Sequence, residues 1–253
     1  MLFGGTLPPE TIPQTTVFRQ HIYQTVNGKV VFPSVNGPIP ERWPSLPAGV
    51  AGFYTLYPNP DELLAGKLDG RLRAYLAGAQ PGSMLTAYAE ADGDPAAGGQ
   101  FAPLGLTPAR LTAVHAHMHA LCASAHVRYG SVTCGYGASS LGWSARGLDF
   151  YGLDIYEPCR PGIMSALNQW RNNVSAFQPD PVLCIAETNT SAPVRRPFWF
   201  SAIFGWLKAR EQTGGGVAAM CTYWNPGGPL SGPWLPGDEA TIEALSSIAR
   251  AAP

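Results

Sequence analysis

The chain has 253 residues, a formal net charge of -1, and Asp, Glu, Lys and Arg at only 13% of its positions. A near-neutral chain carries no electrostatic footprint for nucleic acid or an anionic membrane, and no apolar run approaches the roughly 18 residues of a membrane span. With 29 glycines and 25 prolines the composition reads as a loop-rich globular protein with an uncharged partner, because its apolar runs are long enough to build a core.

In chain order, a weak first strand lies over 2–6, and the prolines at 8, 9 and 13 leave no room for a helix after it. A second strand is expected over 17–23, then a turn at Asn27-Gly28 and a proline-rich ordered loop over 32–47. From Val50 the pattern becomes regular. A strand over 50–57 precedes a helix capped by Asn59 or Asp61 and running to about Ala77, with Leu63, Leu64, Leu68, Leu72, Tyr75 and Leu76 on one face. Pro81-Gly82 opens the strand that carries Glu90. Thr107 and Pro108 supply an N-cap and a first-turn proline for a helix with the apolar stripe Leu111, Val114, Met118, Leu121 and Cys122. Strands over 127–134 and 148–156 follow. Next come a helix over 163–177, with Met164, Leu167, Trp170, Val174 and Phe177 inward, and a strand over 182–187 carrying Glu187. An aromatic helix over 197–211, a strand over 217–224 and a last helix from Asp238 to about Arg250 complete the chain.

Strands alternating with helices of this length imply parallel pairing with right-handed crossovers. Eight strands in about 250 residues suit an α/β chain folded as a (β/α)8 TIM barrel with irregular N-terminal units, a single domain over 1–253; an open doubly wound sheet is the alternative. Several strands end in polar residues, where such a barrel places its active site: Glu90, Asp154 with Tyr156, Glu187 with Asn189, and Trp224 with Asn225.

In a chain this poor in charge, an acid at the exit of an apolar strand is seldom filler, since an unpaired charge beside a core costs several kcal/mol. Two acids facing one cleft are what cleavage of a glycosidic bond requires: one carboxyl protonates the leaving oxygen while the other attacks or activates water. On the strand count Glu90 follows strand four and Glu187 follows strand seven. These positions resemble the retaining glycoside hydrolases of clan A, in particular the β-mannanase-like branch. The resemblance implies Glu90 as acid/base and Glu187 as nucleophile. It also implies that Tyr156, in the run from Tyr151 to Tyr156, approaches the nucleophile, and that Trp224 lies as an aromatic floor under the sugar. Tyr88, Asp92, Asp154, Asn189 and Asn225 join them as candidate sugar contacts. The clan has Asn or His immediately before the acid/base where this chain has Ala89, so a catalytically inactive carbohydrate-binding or scaffold protein on the same barrel stands as the alternative. Mannan is not carried over as the substrate.

Other signals have plainer readings. Asp92 and Asp94 sit in strong turn chemistry and read as loop caps, although either is an alternative acid. His115 and His119 are four apart on a helix but lack a nearby Glu or Cys, so no metal is expected. The cluster of Phe198, Trp199, Phe200, Phe204 and Trp206 reads as packing, and Trp224 and Trp234 as sugar platforms. No serine elbow, phosphate loop or dinucleotide fingerprint occurs, so no cofactor is called for. The five cysteines, with no CxxC spacing, are expected as buried free thiols. Nothing at the start resembles a basic then apolar leader, so the chain reads as a cytoplasmic monomer acting on a carbohydrate, or as secreted if a signal has been removed.

Overall fold

The alternation of apolar runs produces strands where it predicts them. The computed structural model describes residues 1–5, 16–21, 24–26, 29–31, 39–93, 101, 104–157, 159–160, 162–190, 192–222 and 239–251. Strands β1 (Leu2–Gly5) and β2 (Val17–His21) come first, then the short β3 (Gln24–Val26) and β4 (Lys29–Val31). β5 (Ala51–Leu56), β6 (Met84–Ala87), β7 (Arg128–Thr133), β8 (Phe150–Tyr156), β9 (Leu183–Asn189) and β10 (Val217–Thr222) follow. From β2 through β5 to β10 each strand of this set pairs in parallel with the next, and β1 pairs in parallel with both β10 and β2. The result is a curled parallel α/β sheet with helices packed outside it.

The helices are α1 (Pro60–Leu64), α2 (Asp69–Leu76), α3 (Pro108–Ser124), α4 (Ile163–Phe177), α5 (Arg196–Gln212) and α6 (Glu239–Ala251). Thr107 caps α3, accepting the Arg110 N–H at 3.2 Å ahead of Pro108, and Asn59 caps α1, accepting from Asp61 and Glu62. The single helix expected from Asn59 to Ala77 is in fact two. Gly66 takes φ +71°, and its N–H turns back to the Leu63 carbonyl, so the chain leaves α1 in a left-handed step before α2 begins. A second departure is the antiparallel pair β3–β4, which joins Val26 to Lys29 across the expected Asn27-Gly28 turn; that turn lies outside the described residues.

Because side chains alternate across a strand, the sheet sorts its apolar residues into two cores. Val17, Phe53, Met84, Val132, Phe150, Cys184, Ala219 and Cys221 pack together on one face, with Phe53 and Phe150 edge to face at 5.4 Å. Tyr54, Leu85, Tyr129, Leu153 and Ile185 face the helices, meeting Leu72, Val114, Met118, Leu167, Trp170 and Phe200. On α4, Met164 is not inward as its spacing suggested: it is 44% exposed, and Ala166 and Leu167 hold that turn to the sheet. On α5, Trp199, Phe200 and Trp206 are buried packing residues and Phe198 is exposed. All five cysteines are free thiols; Cys122, Cys184 and Cys221 are buried, and Cys134 and Cys159 are partly so.

Candidate active site

The inner core turns polar toward the C-terminal ends of the strands. Regular alternation on β9 would send Glu187 outward beside Ile185, since Cys184 and Ala186 belong to the inner core. Instead the β8–β9 register slips: Leu153 pairs with Ile185, and the next residue, Asp154, pairs with Glu187. This extra residue is a β-bulge, which re-aims a side chain at the cost of local pairing. Glu187 thereby turns in, while Thr188 turns out and accepts the Trp199 indole N–H of α5 at 2.8 Å.

Glu187 is held at both oxygens. Arg19 of β2 reaches Oε1 through Nη2 at 3.2 Å, and the Tyr156 hydroxyl at the end of β8 donates to Oε2 at 2.6 Å. Arg19 is fully buried; its Nη1 donates to Thr55 Oγ1 at 2.6 Å, and its guanidinium lies 4.3 Å from the centre of the Phe53 ring. Burial, then the nearby Glu187, push the Tyr156 phenol far above its usual range, so it stays a donor. A buried ion pair with these extra hydrogen bonds keeps Glu187 as a carboxylate.

Glu90 stands in the opposite condition. It lies three residues beyond β6 in a turn where both Tyr88 (φ +52°) and Glu90 (φ +62°) are left-handed, a conformation that costs a non-glycine residue of order 1 kcal/mol or more. The turn is fixed by the Glu90 N–H, which donates to the Val132 carbonyl at 3.0 Å, and by the Gly93 N–H, which donates back to the Glu90 carbonyl at 3.0 Å. Burial first, then the charge of Glu187, push the Glu90 carboxyl up to about 7. Asp92 completes this corner from a short 3-10 turn, accepting the Cys134 and Gly135 N–H groups at 3.0 and 2.8 Å. It caps the chain leaving β7, and both of its oxygens are thereby engaged.

No protein-family model matches the chain, and no curated protein matches it. Solved structures do. An apo β-glucosidase superposes with a TM-score of 0.57 at 12% identity, over 81% of this chain and 75% of that one. A GH128 (subgroup I) endo-β-1,3-glucanase from Amycolatopsis mediterranei, in complex with laminaritriose, gives 0.55 at 12% identity over 98% of both chains. The chain is similar in fold to both of these glycoside hydrolases.

The remaining expected residues separate clearly. Asp154 is 2% exposed beside Glu187. Asn189 is buried and its side-chain oxygen accepts the Thr190 N–H at 2.7 Å. Tyr88 is in the packing, its ring edge-on to Tyr57 and Phe101. Trp224, Asn225, Trp234, Asp94 and Asp238 lie outside the described residues. The three histidines of α3 each have a separate partner: His115 the Tyr129 hydroxyl at 2.8 Å, His117 Asp69 at 2.7 Å, and His119 Asp149 at 3.3 Å. Among the described residues no group of three His, Cys, Asp or Glu is placed to hold a metal, and no helix is long and apolar enough to cross a membrane. Arg19 escaped the sequence reading, although its signal was there: a cation two residues after Val17, on the same face of an apolar strand.

Proposed function

We propose that the chain is a single-domain (β/α)8 barrel and a glycoside hydrolase that cleaves O-glycosidic bonds with retention, using Glu90 as acid/base and Glu187 as nucleophile. The observation that carries this reading is the contrast in surroundings of two acids at one end of the sheet: Arg19 and Tyr156 pair with both oxygens of Glu187 and favour the anion, while burial and that anion push the Glu90 carboxyl up to about 7. Two carboxyls whose surroundings drive them apart in this way are the signature of an acid and a nucleophile.

In the first step Glu187 attacks the anomeric carbon as the glycosidic C–O bond breaks, and Glu90 gives its proton to the leaving oxygen. Glu187 loses its negative charge in the covalent intermediate, so the repulsion that held the proton on Glu90 falls. Glu90 is then a base able to take a proton from the water that releases the sugar. The substrate is a neutral poly- or oligosaccharide taken by a monomer without a cofactor. β-1,3-Glucan is the first to test, since one neighbour in fold is an endo-β-1,3-glucanase.

Glu187→Gln, which leaves the buried Arg19 without its anion and so lowers stability, abolishes turnover, and Glu90→Gln lowers it by about 10²–10⁴, the range for loss of a general acid; Glu90→Gln keeps the fold and binds oligosaccharide. The anomer released first, read by NMR, has the configuration of the substrate; an inverted product refutes the double displacement. The second reading, an inactive carbohydrate-binding protein, draws on Ala89, a buried apolar residue of the inner core where the clan carries a polar side chain. It predicts that the wild type binds oligosaccharide with no turnover for either substitution to remove.

A further inference from the structure

Asp154 is a buried acid that the two-carboxyl chemistry does not use. It stands on β8 opposite Glu187 in the ladder, 2% exposed, and neither of its carboxyl oxygens has a hydrogen-bond partner among the described residues. A carboxylate buried without a donor is among the most costly arrangements a protein can hold, whereas the same group as a carboxylic acid is uncharged. What faces it settles the balance. From β2 comes Arg19, from β9 Glu187 and the Cys184 thiol, from β10 the Cys221 thiol, and from the end of its own strand the Tyr156 phenol. The turn after β6 brings Glu90 and Asp92, and the end of β7 brings Cys134. Among the described residues Arg19 is the cation acting on this group of acids, and it is already committed, 3.2 Å from Glu187 and 2.6 Å from Thr55. One guanidinium does not neutralise Glu187 and Asp154 together.

We propose that Asp154 is a positioning residue that works as the uncharged acid: while it keeps its proton Arg19 remains committed to Glu187, and its ionisation draws the guanidinium away and disarms the nucleophile. The effect on the nucleophile rests on the glycosidase reading above; the bound proton does not. Burial, then the charges of Glu187 and Glu90, act in the same direction, lifting the Asp154 carboxyl well above the ordinary carboxylate range.

The full chain and D154N, which keeps the shape and lacks the charge, supply the test. The infrared difference between wild type and D154N at neutral pH contains the carbonyl stretch of a protonated carboxylic acid; carboxylate bands alone overturn the proposal. On β-1,3-glucan, kcat/KM of D154N is compared with that of the wild type across the pH range. Its alkaline limb falls with loss of one proton, where that of the wild type steepens toward two; a merely structural side chain leaves the limb as it was. A loss of about a hundredfold at every pH shows that Asp154 works as a carboxylate, and the proposal falls. If the wild type hydrolyses no glycan, the glycosidase reading fails, and the infrared band alone upholds or overturns the proton on Asp154. Asp154→Ala serves for the same spectrum if D154N does not fold.

Discussion

Tyr156 and Arg19 share one task, and their hydrogen bonds differ in what their loss does. The Tyr156 hydroxyl gives Glu187 a charge-assisted bond at 2.6 Å, so Tyr156→Phe removes about 1.5–3 kcal/mol. On the proposed glycosidase reading that corresponds to a fall in kcat/KM of roughly 10–100-fold, measured with the fold intact; an unchanged kcat/KM would separate Tyr156 from the proposed nucleophile. Arg19→Met is more severe, because it strands a buried carboxylate, and breaking such a pair costs about 3–5 kcal/mol of stability. The urea midpoint of this variant falls accordingly, and an unchanged midpoint would mean that Glu187 finds another donor. At this scale the placing of Glu90 and Glu187 at one end of the sheet was legible because each closes an apolar run. Arg19 satisfies the same criterion, but its partner is on the seventh strand of the sheet while it sits on the second, and no local pattern joins them.

Between residues and fold stand the elements that aim the side chains. The bulge on β9 decides that Glu187 faces the inner core, and nothing in the residues of β9 marks it, since the slip is a property of two strands in register. The break between α1 and α2 was hidden for the opposite reason: the apolar face continues from Leu63 to Leu76, and one glycine overrides it. The parallel strands of the curled sheet and the caps at Asn59 and Thr107 were readable because they depend on local chemistry alone. Where strands approach most closely, sequence also hides the constraint. A Cβ on Gly130 of β7 would lie 2.3 Å from the Phe150 carbonyl oxygen and 2.5 Å from the Phe150 ring. The carbonyl belongs to the β7–β8 ladder and has little freedom to move, so Gly130→Ala destabilises the protein by about 1–3 kcal/mol. Equilibrium urea unfolding measures this; a midpoint equal to wild type would show that the two strands separate freely.

The whole molecule is poor in charge, yet it gathers Arg19, Glu90, Asp92, Asp154 and Glu187 at one end of one sheet. That concentration makes its stability respond to pH through a few groups. Glu90, raised from 4.5 to about 7, holds in the folded state a proton that the unfolded chain has lost. Its contribution is full at low pH and disappears as pH rises through about 7. Asp154, raised well above 3.8, acts in the same sense. His115 opposes them: buried and lowered from 6.5 to about 4, it is neutral in the folded protein while the unfolded chain protonates it, so its contribution grows as pH rises from about 4 to 6.5. With two groups against one, unfolding free energy falls as pH rises between about 4.5 and 6.5. Above 6.5 His115 no longer compensates, and the fall steepens until Glu90 ionises. Urea unfolding at successive pH values gives the slope directly. In D154N the fall between pH 4.5 and 6.5 flattens, because Glu90 and His115 then cancel. A wild-type stability that rises over that interval would mean that the acids at the end of the sheet are ionised together, against the charge balance around Arg19.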